Sequence, residues 1–237
     1  MNVSGTKFWR TGNVQNGLFA ENSLGDSKKH SFINGGVKGG LTIKLSGRHM
    51  LQANSGYLTR APLTKNSFIS PRTRNEVVPN LTSEIFKTID LNYLVRYPNF
   101  KARLTGYYTT LEDMTWARSF YHDELKTFVN YMMTGVDQLF MGMEFGTEFK
   151  ISPSLALTAA YSAGDFIYTS RPNATIVQNN STELLAENKT VYIENYRIGG
   201  MPQTANSLGL KYNSSRFWFI GASANYFANT HLDFNPD

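Results

Sequence analysis

The strongest constraint in this sequence is a rhythm: long runs of alternating residues, joined by very short and very long connections in turn. Tight-turn residues recur at Ser46-Gly47-Arg48, Tyr97-Pro98-Asn99, Ile151-Ser152-Pro153-Ser154 and Asn213-Ser214-Ser215. Each carries the Gly, Pro, Asn or Ser that turns select. The run on either side has period-2 patterning, so each turn reads as the bend of a β-hairpin. The spacing predicts strands over 35–46, 48–60, 83–97, 99–112, 134–151, 153–168, 200–213 and 215–228. Between hairpins lie polar connections over 61–82, 113–133 and 169–199. Structureless connections of that length count against a compact water-soluble domain. Strict alternation of short and long links fits a transmembrane β-barrel with short periplasmic turns and long extracellular loops.

Side-chain alternation supports the same reading. In the run 139–150, Leu139, Met141, Met143, Phe145 and Phe149 share one face, opposite Gly142, Glu144, Gly146, Glu148 and Lys150, because successive strand residues point to opposite sides. Ile85, Ile89, Leu91, Tyr93 and Val95 likewise oppose Asp90, Asn92 and Arg96, and Ala102, Leu104 and Tyr108 oppose Lys101, Arg103 and Thr105. Leu157 and Thr158, Leu208 and Gly209, and Leu210 and Lys211 divide in the same way. A soluble antiparallel sheet can also be apolar on one face. The predicted strands are nevertheless longer than globular strands and long enough to cross a bilayer. Tyr57, Tyr97, Tyr108, Tyr161, Tyr168, Tyr212 and Trp218 lie toward strand ends, as interfacial aromatic girdles require. Lys87 falls on the apolar face and fits only near a strand end, where its ammonium can reach water.

Composition narrows the alternatives. Aromatic residues make up 14% of the 237, and they favour strands and membrane interfaces. No stretch approaches the roughly 18 apolar residues of a transmembrane helix. The absence of Cys removes disulfide scaffolds and Cys-ligated zinc. The net charge of +5 contains no Lys/Arg run of the kind that tracks nucleic acid. The opening Met1-Asn2-Val3-Ser4-Gly5-Thr6-Lys7 does not have the sections of a signal peptide.

Several stretches resemble the C-terminal barrel region of TonB-dependent outer-membrane receptors, especially those of Bacteroidota. They are Ile69-Ser70-Pro71-Arg72-Thr73-Arg74-Asn75, Lys101-Ala102-Arg103-Leu104-Thr105-Gly106-Tyr107-Tyr108-Thr109, Phe149-Lys150-Ile151-Ser152-Pro153-Ser154-Leu155, Gly199-Gly200-Met201-Pro202-Gln203-Thr204, and 226–237 with Leu232-Asp233-Phe234-Asn235-Pro236-Asp237. The likeness spans roughly 30–237 and rests on turns and strands. It implies an all-β, antiparallel transmembrane β-barrel segment, of which this chain holds about eight strands where the family has about 22 and a plug. It further implies residence in the outer membrane of a Gram-negative bacterium, contact with outer-membrane lipid, and energy-coupled import of a siderophore, vitamin, glycan or peptide. The TonB complex would act through a plug that these residues do not include. The chain is therefore expected to be a fragment: 1–237 as a partial barrel domain, 1–34 as an extracellular loop, and no plug or signal peptide. Asp237 does not supply the aromatic that closes such barrels. A passive porin or a small closed eight-stranded barrel is the alternative, and a soluble all-β enzyme or carbohydrate-binding module is a third class.

Candidate site residues fall in the long connections. Arg72 and Arg74 could bind an anionic ligand or pair with carboxylates to hold their loop. Trp116, Arg118, Phe120, Tyr121 and His122 could form a ligand-binding patch or pack the loop on itself. His122 beside Asp123 and Glu124 has acid–base groups, but neighbours in a loop rarely make a closed metal or catalytic site. Gly35-Gly36 and Gly39-Gly40 are followed by no Gly-Lys-Ser/Thr, so strand glycines are the better reading. No catalytic residue, metal site or cofactor is expected, and the ligand that the resemblance implies is a small molecule or glycan.

Overall fold

The computed structural model describes residues 1–13, 24–70, 74–179 and 183–234. Its strands in chain order are β1 (Asn2–Phe8), β2 (Thr11–Asn13), β3 (Leu24–Asp26), β4 (His30–Lys44), β5 (His49–Arg60), β6 (Glu84–Arg96), β7 (Phe100–His122), β8 (Thr127–Lys150), β9 (Leu155–Tyr168), β10 (Asn173–Gln178), β11 (Leu184–Thr190), β12 (Pro202–Asn213) and β13 (Phe219–Thr230). One helical turn, α1 (Thr64–Ser67), interrupts them. The main sheet runs β1-β4-β5-β6-β7-β8-β9-β12-β13, with every pairing antiparallel. All the hairpins expected from the turn residues are present.

The register carries the two-faced pattern across strands. Leu41 lies opposite Ala53, Ala53 opposite Leu91, Leu91 opposite Gly106, and Gly106 opposite Met143. One residue pair further toward the short turns, Ile43, Leu51, Tyr93, Leu104, Phe145 and Tyr161 form the next row. Nothing among the described residues covers this face: Leu91 is 58% exposed and Met143 is 55% exposed. Toward the long connections the same face ends in ion pairs. Lys87 Nζ lies 2.6 Å from Glu112 Oε2, and Arg197 pairs with Asp165. Lys87 thus sits at the rim of the apolar belt, where its head can reach water.

A buried core lies outside that belt. Beyond Leu111 the β7–β8 register shifts twice, at Asp113 with φ of 57° and opposite Gly135 with φ of 71°. Aspartate tolerates this left-handed conformation through local hydrogen bonds, and here the Asp113 N–H donates to Asp137 Oδ1 at 2.9 Å. Such bulges re-aim a strand pair. Above this one, β8 pairs with β10 instead of β9. Val129, Tyr131, Met133 and Val136 then pack with Tyr168, Ile176, Val191 and Ile193. Each such buried side chain contributes about 1.5–3 kcal/mol.

Several expectations need correction. The region 113–133 is a continuation of β7 and β8 and not a loop, because Val129, Tyr131 and Met133 have an apolar core to alternate against. The region 169–199 contains the β10–β11 hairpin, and 61–82 contains α1 and a Phe68–Val77 bridge. The segment 1–34 is not simply a loop: β1 pairs with the first part of β4, from Asn2 opposite Gly36 to Phe8 opposite His30. The main sheet consequently holds 11 strands, not about eight. Among the described residues β1 and β13 do not pair, so the small closed eight-stranded barrel is not the arrangement found.

The exposed belt distinguishes lipid from water. Leu104→Arg, near the middle of the belt, should cost about 2–4 kcal/mol in a bilayer, and Ile85→Arg, at its rim, about 0–1 kcal/mol. In water, replacing such an exposed side chain should cost within about 0.5 kcal/mol. Unfolding titrations of both variants in lipid vesicles check this, and equal costs would deny the depth gradient.

Candidate functional site

The face opposite the belt carries a connected polar patch that only the pairing register assembles. Asn92 on β6 lies opposite Gln52 on β5 and Thr105 on β7. Its side-chain carbonyl accepts from Arg103 at 2.6 Å and 3.0 Å and from the Thr105 hydroxyl at 2.8 Å. Its amide donates to Asp90 and to the Gln52 carbonyl, and Asn54 donates to the same Asp90 oxygen at 2.8 Å. Asn92 is fully buried at 0% exposure, and a buried amide is stable only when its donors and acceptors are used. The network holds a guanidinium and a carboxylate on the surface with fixed orientation. Next to it, Gly142 and Gly164 leave room for the Tyr107 hydroxyl, which would lie 2.7 Å and 3.0 Å from an added Cβ.

The structure distributes the loop candidates differently. Arg72 lies outside the described residues. Arg74 is buried and ion-paired with Glu76, which serves the loop-organising role. Trp116 and Arg118 come together around the segment after β13. Phe234 stacks on Trp116 at 6.0 Å and meets Tyr168 edge-on at 5.2 Å. The Arg118 guanidinium lies over both Trp116 and Phe234 and bonds Asp233 at 2.7 Å. Burial, and secondarily the Asp233 carboxylate, push the Tyr168 phenol well up, so it stays neutral. Tyr121 is exposed near the β7–β8 turn, edge-on to Phe128 at 5.3 Å. His122 is buried and stacks on Phe120 at 6.2 Å. The five described candidates therefore do not form one site.

No protein-family profile and no curated protein matches this chain. Among the solved structures that superpose on the chain is one with a TM-score of 0.59 at 15% identity, over 82% of this chain and 26% of its own length. It is the copper transporter OprC. The chain thus shares the fold of part of OprC and spans about a quarter of that protein's length. At this identity the likeness concerns the fold alone, an antiparallel sheet of long strands.

Sequence alternation put Asn92, Arg103 and Thr105 on the polar face but did not single them out. The usable signal was a triad of hydrogen-bonding residues at mid-strand, where alternation alone asks only for small or polar ones. Asn92→Leu should destabilise the protein by about 1–3 kcal/mol by removing the buried amide that Arg103, Thr105 and Asp90 share. Combined with Arg103→Leu, the two costs should fall short of additive by about 0.5–3 kcal/mol, measured as unfolding midpoints of the three variants.

Proposed function

We propose that this chain forms part of the wall of an outer-membrane transport barrel of the TonB-dependent receptor type, in which it moves a scarce small molecule or glycan and performs no catalysis. The observation that carries this reading is the belt. An uncovered, register-aligned apolar face spans β4 to β13, and ion pairs bound it toward the long connections. Water would penalise so large an apolar surface, whereas a bilayer takes it as a lipid face and leaves the polar face for the lumen. Likeness in fold to a transporter supports the same reading, as do the motifs shared with TonB-dependent receptors.

In this arrangement the short turns face the periplasm and the β7–β8 ribbon reaches the exterior. Tyr121 and Phe128 are exposed near the ribbon tip and form its ligand-facing aromatic surface. The outer edges of β13 and of β4 beyond Gly36 have no partner among the described residues. Unsatisfied backbone groups are costly in lipid, so further strands complete the wall. A TonB-driven plug would fill the lumen they enclose.

The topology is tested by surface labelling of the full-length protein. Glu124→Cys, in the exposed β7–β8 turn, should react with a membrane-impermeant maleimide on intact cells. Gly47→Cys, in the β4–β5 turn where an added side chain meets open space, should react only after the outer membrane is permeabilised. The reverse pattern would invert the barrel.

A further inference from the structure

The polar face changes character toward the short turns. Lys44 on β4, Arg96 on β6, Lys101 on β7, Lys150 on β8 and Lys211 on β12 all have the same strand parity as Asn92 and Thr105. On the other parity of the same segments stand Ile43, Val95, Ala102, Phe149 and Leu210. Arg96 lies directly opposite Lys101, and Lys150 and Lys211 both lie opposite Ala156. The one carboxylate among them is Glu148, 3.8 Å from Lys101 with both side chains largely in the open.

Exclusion from an apolar face explains why these residues are polar. It does not explain why all of them but Glu148 share one sign. Like charges directly across a strand pair are destabilising, so a row that sets Arg96 against Lys101 costs the sheet stability. That cost is offset when an anion occupies the space in front of the row, and low-dielectric walls focus the field there. Rings of Lys and Arg select anions in channels by the same means. We infer that the turn end of the polar face is an anion-selective mouth, and that the transported solute is a small anion or carries anionic groups. This deepens the transport reading above and rests on it.

The test is binding of pyranine, a small trisulfonated dye, to the full-length protein in a non-ionic detergent, read by fluorescence anisotropy. Saturable binding that weakens from low to high salt is expected, with a cationic dye of similar size failing to bind. Arg96→Glu, Lys150→Glu and Lys211→Glu together should weaken pyranine binding roughly tenfold or more. Arg48→Glu and Arg216→Glu together, which reverse charge in the turns at the same end and outside the strands, should change it less than about threefold. The milder Arg96→Gln, Lys150→Gln and Lys211→Gln set should fall between these, which guards against a folding defect. Absence of saturable binding, equal binding of the cationic dye, or equal effects of the face and turn variants would overturn the inference. Surface labelling does not depend on the dye. A failed dye test with the expected labelling therefore removes the anion and not the transport wall.

Discussion

The antiparallel backbone ladder is the interaction on which everything else depends. Each long strand bonds to neighbours on both sides through most of its length, and a slip of one residue would exchange the two faces of that strand. Register and alternation therefore act together. Once Leu91 is set opposite Ala53 and Gly106, Asn92 must meet Gln52 and Thr105. The apolar belt and the polar network are two consequences of one pairing.

That pairing divides the chain into regions stabilised by different physics. In the belt, side chains gain little from burial within the protein, and the ladder supplies the cohesion. On the opposite face, charge-assisted hydrogen bonds such as Arg103 to Asn92 hold polar groups in place. Beyond Asp113 and Gly135 the chain reverts to ordinary water-soluble logic, with a core of Val129, Tyr131, Ile176 and Tyr168. The bulge marks the boundary, since it lets β8 exchange β9 for β10 as a partner.

The segment after β13 ties the two regions together. Asp233 and Phe234 return to Arg118 and Trp116 on the extended ribbon, while the Gly200 N–H donates to the His231 carbonyl at 3.0 Å. Gly199 lies so close to the 232–233 backbone that an added Cβ would meet Asp233 N at 2.4 Å. Gly199 is thus required by close approach and Gly200 by its φ of 82°, neither of which the primary structure alone announces.

The turns, the strand pairs and the two faces were legible from the sequence because they depend on local rules: turn residues at Gly47, Pro98, Pro153 and Ser214, and a period of two between them. The rim position of Lys87 was legible for the same reason. The extension of β7 and β8 is not legible in the same way, although Val129, Tyr131 and Met133 alternate, because Arg118, Ser119 and His122 to Glu124 fit a polar connection as well as a strand. The pairing of β1 with β4 and of β10 with β8, the hub at Asn92, and the seating of Phe234 on Trp116 all join residues far apart in the chain. Only the tertiary structure decided them, because a strand's own pattern states which way its side chains point but not which strand it will bond to.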